Sequence, residues 1–70
     1  MNEKLNTRIA SALKLASEAL ARYHAKRDEA RADGTITDET GEKDLIEYGK
    51  FMYVAGELTE LRSETDVDNS

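Results

Sequence analysis

No proline interrupts this chain, and its strongest break, Asp33-Gly34, divides two long stretches of helix-forming residues. That leaves few folds open. An alanine-rich run without Pro or Gly favours α-helix, and a glycine just past such a run suits a left-handed stop. Two helices of similar length joined at one short break predict an all-α, antiparallel helical hairpin.

The halves differ in charge, since Met1 to Asp33 holds seven Lys/Arg and five Asp/Glu whereas Gly34 to Ser70 holds three and ten. The difference is +2 against −7, summing to the overall −5. Opposite signs mean either that the halves pair with each other or that one serves as a binding tail. Both halves keep an apolar stripe, so pairing is the stronger reading.

On helix 1, expected over about residues 3–32, Leu5, Ile9, Ala12, Leu13, Ala16, Ala19, Leu20, Tyr23 and Ala30 recur at three-and-four spacing within an arc of about 120°. Asn2 suits the N-cap, and Gly34 suits the stop. Helix 2 is expected over about residues 38–62. Thr37, Asp38 and Glu39 place a cap and acids near its first turn, while Gly41 weakens an early start by roughly 1 kcal/mol relative to Ala.

Leu45, Tyr48, Phe51, Met52, Val54, Ala55, Leu58 and Leu61 spread over about 200° of helix 2, too wide an arc for one neighbour. One side can pack on helix 1 and the other on a second chain. Two hairpins are therefore expected to pair as a homodimeric four-helix bundle with coiled-coil-like packing, with Tyr48, Phe51, Met52, Leu58 and Leu61 as core or dimer residues. Gly49, Gly56 and Ser63, seven apart, suggest a tight helix crossing or a closely docked partner. The hairpin should occupy residues 1–63, and residues 64–70, with little apolar content, should form a disordered acidic tail.

Seventy residues allow one modest core, and a chain this short rarely gains more than roughly 3–5 kcal/mol from it without staples. Cysteine is absent and histidine occurs once, which removes disulfides and the common zinc sites. Oligomerisation remains as a route to stability. Charges spread through the first twenty-five residues argue against a signal segment or membrane span, so the expected setting is cytoplasmic.

Asp33-Gly34-Thr35-Ile36-Thr37 resembles the second half of an EF-hand calcium loop. With Gly34 at the sixth loop position, however, Arg31 falls third and Thr40 twelfth, where the family needs an oxygen ligand and a bidentate Glu. No metal or cofactor is expected. His24 should contact Asp28 one turn later. Ser11 and Ser17 lack a base with an orienting partner, and the carboxylates define no pocket, so no enzymatic activity is expected.

Lys4, Arg8, Arg22 and Lys26 form a basic stripe along helix 1. It can contact phosphates or face the carboxylates of helix 2, and the acidic second half favours the latter. The hairpin architecture resembles the Rop family of small dimeric helical hairpins, without a residue-level motif of that family, and that resemblance implies binding of paired RNA loops through helix 1 surfaces. RNA binding is the alternative function. The favoured expectation is a small non-enzymatic module that binds and modulates another protein, using Ile46, Tyr53, Glu57, Glu60 and Glu64. By analogy of size and acidic character alone, such chains are often accessory proteins of phages or mobile elements.

Overall fold

The computed structural model describes residues 3–68, with side chains to residue 64. Two helices, α1 (Glu3–Asp33) and α2 (Glu42–Asp68), pack against each other as a hairpin. The expected N-cap, Asn2, lies outside the described residues.

The end of α1 follows from glycine chemistry. Gly34 has φ +73°, its N–H donates to the Arg31 carbonyl at 3.2 Å, and the Thr35 N–H donates to the Ala30 carbonyl at 2.8 Å. This pair of bonds is a Schellman motif, which satisfies carbonyls that the helix would otherwise leave open. A residue with a side chain would strain here.

Helix α2 begins later than the sequence suggests. Thr37 and Thr40 fold into a turn of their own, in which the Thr37 N–H donates to Thr40 Oγ1 at 2.9 Å and the Glu39 N–H donates to Thr37 Oγ1 at 3.2 Å. Gly41 then adopts φ +80° and its carbonyl accepts from the Leu45 N–H at 3.0 Å. Gly41 is thus the N-cap of α2. A positive φ cannot sit inside a right-handed helix, which moves the start from about residue 38 to Glu42.

At the other end α2 runs through Asp68, beyond the expected stop near residue 62. Neither Pro nor Gly lies between Arg62 and Asp68, so no backbone feature breaks the ladder. The segment expected as a tail, residues 64–70, is thus helical as far as Asp68, and Asn69 and Ser70 lie outside the described residues.

The helices meet along one narrow seam. Its buried positions on α1 are Ile9, Ala12, Ala16 and Ala19, spaced three, four and three apart. Across from them Asp44 and Ala55 are buried, and Tyr48, Phe51 and Leu58 are half-buried. Side chains at the contact set the distance between packed helices, so three alanines in a row permit a close approach. Register is marked at both ends: Arg62 Nη1 donates to Asn6 Oδ1 at 2.8 Å, and Arg22 Nη2 meets Glu47 Oε2 at 2.7 Å.

The cost of this arrangement is a thin core. The chain measures 56 × 17 × 12 Å with a radius of gyration of 16.4 Å, against roughly 11 Å for a compact domain of this length. No third described element covers the flanks of the seam. Leu13, Leu15, Leu45, Met52, Val54 and Leu61 are each 39–49% exposed, and Ile46 and Tyr53 are 63% and 70% exposed.

Candidate interaction surfaces

Four charged groups join the helices near the loop. Asp44, only 6% exposed, receives Arg22 Nε on Oδ1 at 3.1 Å and Lys26 Nζ on Oδ2 at 2.6 Å. Glu47 takes the other arm of the same guanidinium. An ionised carboxylate at a half-apolar seam is tolerable only when paired in this way.

Asp44 is missing from the residues that the sequence marks out, yet a signal was present. Position 44 falls on the column of Tyr48, Phe51, Ala55 and Leu58, so a charge there lies within the seam and must find a partner. A polar residue at such a position specifies register and orientation at some cost in stability. Here the antiparallel register is the one that brings Arg22 and Lys26 to it.

The ammonium of Lys26, and then the guanidinium of Arg22, hold the Asp44 carboxyl below its ordinary value of 3.8. A carboxyl depressed by folding stabilises the fold at pH values above its unfolded pKa, and that contribution is lost as pH falls through the folded pKa. Wild-type protein should therefore keep the Asp44 contribution from neutrality down to about pH 4 and lose it below that. Asp44→Asn should show a lower urea midpoint at pH 7 and a shallower decline into acid. Parallel midpoint-against-pH curves for the two proteins would disprove the linkage.

The basic stripe is consequently divided. Arg22 and Lys26 engage carboxylates of α2, as the charge asymmetry suggested, whereas Lys4 and Arg8 lie exposed near the start of α1. Arg27, which no sequence motif marked, ties α1 to the loop: its Nη1 donates to the Thr40 and Thr37 carbonyls at 3.2 and 3.4 Å. Its guanidinium also lies 5.6 Å from the centre of the Tyr23 ring. His24 packs edge-on against Tyr23 at 5.3 Å, while Asp28 instead accepts from Arg31 at 3.4 Å. The expected His24 to Asp28 pairing is thus replaced by local alternatives.

The protein-binding candidates share the outer side of α2. Ile46 and Tyr53 point away from α1 and are largely in water; Glu57, Glu60 and Glu64 are also exposed. Of the expected core or dimer residues, Tyr48, Phe51 and Leu58 reach the seam, whereas Met52 and Leu61 stay 40% and 49% exposed. Beside the seam runs an open groove of about 410 Å³, where Arg8, Leu15, Phe51, Val54 and Leu58 are among the lining residues.

Among the described residues no cluster of three His, Cys, Asp or Glu could hold a metal ion, and no helix is long and apolar enough to cross a membrane. What the surface offers is apolar contact and charge. No protein-family model matches the chain, and neither the curated proteins nor the solved structures include a match to it.

Proposed function

We propose that this chain is a small non-enzymatic interaction module, which pairs with a second copy and binds and modulates another protein through the outer face of α2. One observation supports the reading above the rest: the two most exposed large apolar side chains among the described residues, Tyr53 and Ile46, lie seven residues apart on the side of α2 turned away from α1. No packing within the hairpin can cover them. A half-apolar aromatic anchor with an aliphatic neighbour is the usual kind of interface hot spot.

The flanking Glu57, Glu60 and Glu64 define the partner chemistry, namely an apolar recess bordered by basic residues. RNA binding has less support, because two of the four cations in the stripe are engaged with Asp44 and Glu47. Affinity capture on immobilised wild-type protein, followed by titration of the captured partner, tests the reading. Tyr53→Ala should weaken binding by roughly 30-fold, the scale of a hot-spot truncation, and Glu57→Lys with Glu60→Lys should slow association. Salt-sensitive retention of RNA that is lost in Arg8→Ala, with Tyr53→Ala unaffected, would replace this function with the nucleic-acid alternative.

A further inference from the structure

We infer that the hairpin pairs with its second copy through one flank of the seam, the uncharged face carrying Leu13 and Leu20 of α1 and Leu45 and Met52 of α2. This inference rests on the self-association proposed above and adds the surface.

At 100° per residue, each flank of the antiparallel pair carries one side of each helix. Leu13 and Leu20 lie clockwise of the α1 seam, and in an antiparallel partner the matching side of α2 carries Leu45 and Met52. The opposite flank carries Leu15 with Val54 and includes the groove beside Arg8. Both flanks expose apolar groups; they differ in charge.

On the Leu13 flank, Asn6, Ala10, Leu13, Ser17 and Leu20 follow one another along α1 without a charged residue, and Leu45, Gly49, Met52, Gly56 and Thr59 do the same along α2; the next α1 positions at this spacing, His24, Arg27 and Arg31, lie beyond the layers at the loop end. The other flank bears Lys4, Arg8, Glu18, Arg22, Glu47 and Lys50. Two chains of net charge −5 repel at long range, and burying a charge at their contact is costly unless it finds a partner. A self-contact centred on the stretch from Asn6 to Leu20 and from Leu45 to Thr59 buries none.

Spacing points to the same occupant. The register puts Leu13 about level with Met52 and Leu20 about level with Leu45, so the face presents two apolar layers seven residues apart on both helices. Seven-residue layers are the repeat by which helices interlock side by side. The layers match those of an identical face turned about a two-fold axis, as a symmetric dimer requires.

Gly49 and Gly56 fit this account. A Cβ at either would meet no atom within 4 Å in the hairpin, so packing against α1 gives no reason for a residue that weakens a helix by about 1 kcal/mol relative to Ala. Both lie between or beside the layers, where a second hairpin would come closest. The Ile46 and Tyr53 side of α2 stays open for another protein.

Sedimentation equilibrium on wild type and four variants, with helicity checked by circular dichroism, tests the face. Leu13→Glu and Met52→Glu should each weaken dimerisation by roughly 30-fold or more, whereas Leu15→Glu and Val54→Glu should leave it within a few-fold of wild type. If wild type is monomeric at every concentration, the self-association reading itself fails. If wild type dimerises and the Leu15 and Val54 variants are the ones that dissociate, only the assigned face is overturned. A mixed sample of isotope-labelled and unlabelled wild-type protein needs no variant: contacts between copies should link the Met52 methyl group to leucine side chains. Contacts between copies that run instead through Leu15 and Val54 would overturn the assignment.

Discussion

Replacing Gly41 with alanine is expected to destabilise the hairpin by about 2–5 kcal/mol, as the sum of a left-handed backbone penalty and an overpacking penalty. Gly41 holds φ +80°, and a Cβ built there would stand 2.8 Å from Cδ1 of Tyr23 and 3.4 Å from the Tyr23 carbonyl oxygen. Moving the ring aside disturbs its contacts with the Arg27 guanidinium, 5.6 Å from its centre, and with the His24 ring at 5.3 Å. Gly34→Ala is the informative control. Gly34 also has positive φ, but a Cβ there would meet nothing within 4 Å, so only the backbone penalty of roughly 1–2 kcal/mol applies. Urea denaturation of both variants at one protein concentration should rank Gly41→Ala well below Gly34→Ala. Equal losses would mean that the loop does not close on Tyr23 as described.

The second large effect is expected in the alanine seam. Ala19 is 0% exposed and Ala16 is 1% exposed, and both lie where α1 faces α2. Ala19→Leu adds three carbons at a fully covered position of the seam, where the helices separate or the leucine leaves its preferred rotamer. Either response costs about 1–3 kcal/mol, a large share of the roughly 3–5 kcal/mol that a core of this size supplies. Ala21→Leu, on the exposed side of the same helix, should change stability by no more than about 0.5 kcal/mol. Urea midpoints measured together decide the matter. A stabilised Ala19→Leu protein would show that the seam is loose and that the close approach of the helices is wrong.

These two sites mark different degrees of legibility. Gly34 could be read locally, because a glycine after a long helical run needs only its own backbone freedom to act as a stop. Gly41 could not. Counted for its helix propensity alone it was a weak point inside α2, whereas its role depends on a tyrosine eighteen positions earlier and on an arginine that holds the loop. The apolar arc of α2 is a similar case. Its width was plain from spacing, but which part touches α1 depends on the angle at which the helix docks.

Charge shows the same division. The opposite signs of the two halves pointed to pairing, and Arg22 and Lys26 do meet carboxylates of α2. Asp44 is hard to single out by sequence because an acidic residue in the first turn of a helix already has a local explanation in the helix dipole. Its burial arises only when α1 closes over it.

By itself, then, the sequence determined the two helices, the break between them and their antiparallel pairing, because periodicity, glycine placement and net charge act over a few residues or over whole halves. The tertiary structure alone decided which part of each apolar arc meets at the seam, that Asp44 is its paired charge, and that Gly41 caps α2 against Tyr23. Those features depend on the docking angle and register of two helices, and these are set by the summed fit of many side chains distant in sequence.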